Sequence, residues 1–354
     1  MRMLKIEKKT YTSTKSILFG SLVALLMGFG IASLIFWAYG VNLLYAYQKI
    51  LKGSFGSGFA VSETIRRAIP LLLCGVGLSL AFRASFWNIG AEGQILAGAI
   101  AATWVALFSG IPEPLLIPAM FFFGFLAGVV WGFIPTFLKS KWQVNEIITT
   151  LMLNFIAASI VLYLIHGPWR GEEKRGFAYT NTFPQVAWLK MIGTTRVPWL
   201  TLILGLVAAT LVYILVWKTT WGYEIRVIGE NPDAGRFAGM SHFKVVLLVM
   251  FISGGLAGIA GVGEIAGIHH LLRNPEHISL GYGFTAIIVA WLARSNPLAV
   301  ILTSLFFGAM FSGGDTIKVS LGIPFQAIYA INGIILSLLI ASIVFTDYKI
   351  SIRR

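Results

Sequence analysis

The sequence predicts an all-α integral membrane protein, a polytopic helical bundle of about ten transmembrane helices with both termini cytoplasmic. Its 354 residues are 57% apolar and only 12% charged, and their mean hydropathy is +0.82. Ordinary soluble domains carry about 25% charged residues. The composition therefore excludes a soluble globular enzyme, and its high hydrophobicity excludes a disordered chain.

Ten stretches without Asp, Glu, Lys or Arg are the candidate spans. They are 16–48, 68–82, 93–112, 114–138, 147–169, 197–217, 245–263, 278–293, 295–314 and 319–346. A spanning helix needs roughly 20 residues, so 68–82 and 278–293 are short and depend on their uncharged flanks for extra length. None shows the period-2 alternation of a membrane β-barrel, which favours helices.

The distribution of basic residues orients the chain. With the N-terminus inside and the ten spans alternating, the segments between spans on the inside, with both termini, hold sixteen Lys and Arg over 68 positions. The segments on the outside hold eleven over 83. This excess favours cytoplasmic termini. We therefore expect a basic cytoplasmic N-terminus over 1–15, a transmembrane domain over 16–346 and a cytoplasmic tail over 347–354.

Two connections between spans are long: an external loop over 167–196 and a cytoplasmic loop over 218–244. In the second, Asn231 before Pro232 predicts the N-cap and first residue of a short helix that ends near 238. Its mixed charge suits docking of another protein, and a plain amphipathic surface helix is the alternative interpretation.

Polar residues at membrane depth are costly to bury and are therefore functional candidates. Asn88, Glu92 and Gln94 lie at the mouth of the third span. They predict either a turn that faces the substrate or a loop that caps the span. In the second interpretation Asn88 is the N-cap and Glu92 lies at the positive end of the helix dipole.

A second polar group lies on one predicted helix. Glu146, Thr150 and Asn154 are spaced i, i+4 and i+8, so they share a face. Such a stripe either holds neighbouring helices by hydrogen bonds or lines a translocation path. Glu264 is a lone carboxylate near the end of the seventh span and is a further candidate.

Signatures of enzymes and metal sites are missing from the sequence. It contains no G-x-x-x-x-G-K-[ST] phosphate loop and no H-E-x-x-H metal motif. The single cysteine, Cys74, cannot form an internal disulfide. We therefore expect no catalytic residue, no metal site and no nucleic acid partner. Glycines at four-residue spacing, Gly124/Gly128/Gly132 and Gly254/Gly258, permit close helix crossing.

Three sequence words carry a family resemblance. They are FRASFWNIGAEGQ over 82–94, NEIITTLMLN over 145–154 and IGENPDA over 228–234. With them the chain resembles, over about residues 15–345, the permease subunits of ABC transporters of the ribose and branched-chain amino acid import class. It is most similar to the nucleoside (purine nucleoside lipoprotein-linked) permeases.

The resemblance implies a complex in a bacterial cell membrane, with lipid around it. A second homologous permease, a cytoplasmic ABC ATPase that binds ATP and Mg²⁺, and an external substrate-binding lipoprotein would complete it. This chain would hold no cofactor and would form the path for nucleosides or a related neutral solute. The expected path residues are Asn88, Glu92, Gln94, Glu146, Thr150, Asn154 and Glu264. The expected ATPase-coupling residues are Glu230, Asn231, Asp233, Arg236 and Phe237.

Three other interpretations compete with this one. The chain could be an importer permease for ribose or other simple sugars. An ion-coupled secondary transporter would need intramembrane carboxylates, for which only Glu92, Glu146 and Glu264 qualify. A membrane enzyme would need an acid, base or metal constellation that the sequence does not offer.

Overall fold

A computed structural model of the chain describes residues 3–8, 14–172, 176–322, 330, 333–334, 337–338, 341–342 and 348–353. Within these residues, seven helices are long and apolar enough to cross a membrane, or eight if one bent pair is a single span. The prediction of a helical membrane protein is confirmed, whereas the predicted count of about ten spans is not.

The elements are, in chain order, β1 Met3–Lys8, α1 Thr14–Ala38, α2 Leu43–Phe55, α3 Gly58–Arg83, α4 Ala91–Phe108, α5 Glu113–Trp142, α6 Glu146–His166, α7 Trp199–Lys218, α8 Thr220–Glu230, α9 Pro232–Phe237, α10 His242–Glu264, α11 Pro275–Ser279, α12 Tyr282–Leu292, α13 Pro297–Leu321 and β2 Tyr348–Arg353. A π-helical turn, Ile265–His269, extends α10. A single 3-10 turn covers Gln185–Ala187.

The chain divides into two compact units, residues 1–64 with 309–354, and residues 65–308. In the first unit the predicted span over 16–48 is not one straight helix, because the helix breaks after Ala38 and the parts on either side differ in direction by 115°. Gly40 turns the chain with φ +69°, and the Asn42 side chain caps the start of α2. The Tyr47 hydroxyl then lies 2.9 Å from Ser33 Oγ, which holds α2 against α1.

The ends of the chain form a two-stranded sheet that the sequence analysis did not expect. β1 and β2 pair antiparallel, with Met3 opposite Arg353 and Lys8 opposite Tyr348. This pairing fits termini that share one side of the membrane. Their cytoplasmic placement remains a prediction.

Three predicted spans need comment. The span at 68–82 is longer than expected, because α3 begins at Gly58 and includes Arg66 and Arg67. The span at 278–293 is wrong, because this stretch folds as the short helices α11 and α12, separated by Leu280 and Gly281 with positive φ. The span at 319–346 lies mostly outside the described residues.

Glycines pack three helices of the second unit backbone to backbone. A Cβ added at Gly258 of α10 would lie 2.2 Å from the carbonyl oxygen of Gly124 in α5, and one at Gly98 of α4 would lie 2.2 Å from the Gly258 carbonyl oxygen. One at Gly128 would lie 2.1 Å from the carbonyl oxygen of Gly254. At these three points no side chain fits between the helices, so α4, α5 and α10 form a tightly joined core, as the glycine spacing predicted.

The connection over 167–196 is a folded cap against the end of α10. The Phe183 N–H donates to the His270 carbonyl at 2.8 Å, and the Leu189 N–H donates to the Ala266 carbonyl at 3.0 Å. Phe183 and Leu189 are buried, and the Trp188 ring stacks on His270 at 3.9 Å between ring centroids. Burial lowers the pKa of His270 below its ordinary value, against the effect of a hydrogen bond to Ala266. Residues 173–175 of this connection lie outside the described residues.

Candidate functional site

The turn before α4 holds a buried amide cluster. Asn88 is fully buried, and its Nδ2 donates to Gln94 Oε1 at 3.2 Å and to Ser253 Oγ of α10 at 3.1 Å. Its Oδ1 accepts from the Gly90 N–H at 2.9 Å. The N-cap of α4 is Gly90, so the prediction that Asn88 is the N-cap is wrong. Asn88 instead joins the turn, α4 and α10 by side-chain hydrogen bonds.

The polar stripe of α6 bonds to the same turn. The Asn154 side chain accepts from the Gly93 N–H at 2.8 Å and donates to the Ile89 carbonyl at 2.9 Å. Thr150 Oγ1 accepts from the Ile89 N–H at 3.3 Å. Glu146 lies at the start of the stripe, where it forms an ion pair with Lys139. The stripe therefore shares one buried face, and two of its three members position the entry to α4.

Glu92 joins the beginnings of two helices. It lies in the first turn of α4, and its Oε2 accepts from the Gly283 N–H of α12 at 2.8 Å. The N–H groups of Gly281 and Phe284 also donate to this carboxylate. A carboxylate at two helix N-termini faces the positive ends of two dipoles. Glu92 therefore fixes where α12 starts, inside the protein.

A second group of polar residues lies between α3 and α10, apart from the Asn88 cluster. Glu264 is buried, with Oε2 at 3.8 Å from His269 Nε2, and it lines a small cavity with Arg66 and Thr201. Arg67 Nη1 donates to the Tyr282 hydroxyl at 3.3 Å. Neither Arg66 nor Arg67 was expected as a site residue, because the predicted spans contain no charged residue.

A group of three aromatic residues lies next to the Asn88 cluster, and the sequence did not predict that they come together. The rings of Phe82, Trp87 and Trp291 form a triad, with Trp87 at 5.5 Å from Phe82 and 5.3 Å from Trp291. Trp87 is 38% exposed, so the triad reaches the surface of the described chain. In the sequence Trp87 suggests an interfacial belt residue, and only the fold brings Trp291 beside it.

The short helix predicted over about 231–238 is confirmed as α9. Asn231 Oδ1 accepts from the Asp233 and Ala234 N–H groups, both at 3.1 Å, and Pro232 is the first helical residue. Gly235 packs against Ile228, so α9 folds back on α8. The five expected coupling residues, Glu230, Asn231, Asp233, Arg236 and Phe237, are all exposed, and Phe237 is 94% exposed.

The fold therefore brings Asn88, Gln94, Thr150 and Asn154 together around one turn, with Glu92 on the adjoining turn of α4. Glu146 instead pairs with Lys139, and Glu264 lies beside His269. All seven expected path residues are buried, and the roles in transport assigned to them remain predictions.

Residues 60–345 match the protein family described as the branched-chain amino acid transport system permease component. The chain belongs to this permease family. This finding confirms the resemblance drawn from the three sequence words, and it makes the chain a transport component and a multi-pass membrane protein.

Several relatives cover most of the permease. A glucose ABC transporter permease protein of Haloferax volcanii is 37% identical over 325 residues, which cover 89% of this chain and 85% of that protein. A guanosine ABC transporter permease protein of Bacillus subtilis is 32% identical over 316 residues, covering 89% and 90%. A nucleoside ABC transporter permease protein of Lactococcus lactis is 30% identical over 328 residues, covering 89% and 88%.

All three of these organisms hold a second, more distant relative. In Haloferax volcanii a putative glucose ABC transporter permease protein is 27% identical, and in Bacillus subtilis another guanosine ABC transporter permease protein is 26% identical. This permease is thus similar to both members of each same-organism pair, with higher sequence identity to one member than to the other.

Proposed function

We propose that the chain is one of two permease subunits of an ATP-driven importer for nucleosides. The observation that carries this proposal is the family match over 60–345, together with relatives named for guanosine and nucleoside transport that share about 90% of their length with this chain. A second homologous permease completes the path, as the same-organism pairs suggest. ATP and Mg²⁺ bind to a separate cytoplasmic ATPase, and an external lipoprotein delivers the substrate.

The side chains beside the Asn88 cluster suit a neutral solute. Asn88 and Gln94 are uncharged amides, and the Trp87 ring of the Phe82–Trp87–Trp291 triad is partly exposed. A nucleobase can stack on an exposed aromatic ring, and such a ring also covers the apolar face of a sugar. The triad therefore supports recognition of the nucleobase at the edge of the buried cluster.

The exposed surface of α8 and α9 is the proposed contact with the ATPase. The exposed charged residues Glu230, Asp233 and Arg236 provide orientation, and the exposed Phe237 ring provides an apolar anchor. Because α9 packs on α8 through Gly235 and Ile228, a partner that moves α9 also moves α8. This arrangement supports a role in coupling.

Glucose or a related sugar is the second candidate substrate. The glucose transporter permease of Haloferax volcanii is 37% identical to this chain, above the two nucleoside relatives that we compared. Ribose links the two candidates chemically, because it is the sugar of a nucleoside and is itself a simple sugar.

Uptake by the assembled complex decides between them. The permease pair, ATPase and lipoprotein are reconstituted in lipid vesicles, and ATP-dependent uptake of guanosine, adenosine, ribose and glucose is compared. We expect ATP-dependent uptake of nucleosides, and we expect that unlabelled glucose does not inhibit this uptake. Uptake of glucose alone would assign the sugar, and absence of ATP-dependent uptake of all four solutes would contradict the importer assignment for these substrates.

Substitution of the aromatic triad provides an independent check. Trp87→Ala should weaken nucleoside uptake by raising KM, because it removes the partly exposed ring proposed to stack on the base. Trp142→Ala is the matched control, since Trp142 is 59% exposed and lies at the end of α5.

A further inference from the structure

The turn at residues 83–85, between α3 and α4, lies directly against α8. Ser85 Oγ donates to the Gly229 carbonyl at 2.7 Å. A Cβ added at Gly229 would lie 1.9 Å from the Arg83 carbonyl oxygen. The Gly229 backbone thus lies directly against the Arg83 backbone, with no side chain between these two residues. A contact of this kind has no flexible rotamers that could absorb a displacement.

The same turn also holds the connection between α12 and α13. Arg83 Nε and Nη2 donate to the Ser295 carbonyl at 3.3 and 3.2 Å. The guanidinium groups of Arg83 and of Arg226 in α8 lie over the Trp217 ring, at 4.8 and 5.1 Å from its centroid. One short turn therefore contacts α8 on one side and the start of α13 on the other.

Local backbone geometry makes the turn stiff. Ser85 has φ +54°, which is uncommon for a residue with a side chain and persists only where neighbouring contacts hold it. The Phe86 N–H donates to the Ala81 carbonyl at 3.0 Å, which closes the turn on α3. Asn88 follows three residues after Ser85. Movement at Ser85 therefore reaches the buried amide cluster through a short connection.

We propose that the turn at 83–85 transmits displacement of α8 to the Asn88 cluster and to the connection before α13, with Arg83, Ser85 and Gly229 as positioning residues. This inference rests on the proposed function, in which an ATPase moves α8 and α9. Closely packed elements pass on discrete shifts because they cannot deform continuously. The contact at Gly229 converts movement outside the membrane into movement of the entry to α4.

The test measures solute imported per ATP hydrolysed by the reconstituted complex. Gly229→Ala places a methyl group against a backbone oxygen and forces α8 away from the turn. We expect the ratio to fall by about tenfold, while ATPase copurification and ATP hydrolysis persist. Ser85→Ala removes only the hydrogen bond and should lower the ratio by about twofold to threefold. Gly58→Ala is the matched control, because a Cβ there meets nothing within 4 Å.

The outcomes separate this inference from the proposed function. If both Ser85→Ala and Gly229→Ala import as much solute per ATP as the unmodified complex, the inference is overturned. Import by the unmodified complex would still support the importer assignment. Loss of ATPase copurification in Gly229→Ala would also overturn it, because the contact would then serve docking. If Gly229→Ala does not fold, Ser85→Ala decides alone. Failure of the wild-type complex to import would count against the proposed function.

Discussion

Glu92 Oε2 accepts a hydrogen bond from the N–H of Gly283 at 2.8 Å, although 191 residues separate the two in the chain. A Cβ added at Gly283 would lie 2.2 Å from the Glu92 nitrogen, so the starts of α4 and α12 lie in direct contact. The carboxylate satisfies N–H groups at the beginning of α12 that would otherwise lack partners inside the protein.

Removal of this charge should destabilise the fold. Glu92→Gln replaces a charged acceptor with a weaker one at two helix starts, and we expect a loss of about 1.5–3 kcal/mol in the free energy of unfolding. Thermal unfolding in detergent measures it. Glu113→Gln is the control, because Glu113 lies in the first turn of α5 but is exposed. Equal melting temperatures for the two variants would contradict the capping role.

Asn154 should matter for both folding and uptake. Asn154→Leu leaves the Gly93 N–H and the Ile89 carbonyl without their side-chain partner, at a cost of about 1–3 kcal/mol for each buried group. We expect a lower melting temperature and reduced uptake at equal membrane levels. Met152→Leu, on the exposed side of α6, should change neither. Unchanged uptake in Asn154→Leu would remove Asn154 from the path.

A side chain at the helix crossing should disrupt the core. Gly258→Val introduces atoms where a Cβ alone would lie 2.2 Å from a carbonyl oxygen, and the obstacle is backbone. Overpacking of this kind costs about 3 kcal/mol or more. Size-exclusion chromatography should show aggregated or poorly expressed protein. Gly30→Ala, where no atom lies within 4 Å of the added Cβ, should elute as wild type.

Acid should loosen the cap that covers the end of α10. Burial lowers the pKa of His270 below its ordinary value of 6.5, so the folded state binds this proton less readily than the unfolded state does. The stabilisation is complete above pH 6.5 and is lost as the pH falls through the folded-state pKa. Melting temperatures from about pH 7.5 to about pH 5 should fall more steeply in wild type than in His270→Phe. Parallel slopes would contradict this assignment.

Coupling should depend on α9. Arg236→Glu combined with Phe237→Ala changes two exposed residues and leaves the Asn231 cap in place. We expect less ATPase to copurify, or ATP hydrolysis that substrate no longer stimulates, while the lipoprotein still binds outside. Normal transport with normal ATPase stoichiometry would move the coupling contact to 83–89 or 139–145.

Local signals account for the successes of the sequence analysis. Asn231 and Pro232 predicted α9 because a cap and an N1 proline act on adjacent residues. The glycine spacing predicted the helix crossing because it presents one smooth face. The spacing of Thr150 and Asn154 placed them on one buried face, although their partners in the turn before α4 were not evident.

Contacts distant in sequence account for the failures. Nothing near Glu92 indicates that it caps a helix 191 residues away. Arg66 and Arg67 fell outside the predicted span because a hydropathy rule treats any charge as a boundary, whereas both are less than 10% exposed within the protein. The stretch 278–293 is apolar enough for a span, but its Leu280–Gly281 turn divides it into short helices.

The backbone contact among α4, α5 and α10 has a consequence for where a solute can travel. Helices that leave no room for a methyl group between them leave none for water, and far less for a nucleoside. In any conformation that keeps this contact, no solute can pass at the seam where α4, α5 and α10 meet. A solute path must then run beside this seam and not through it.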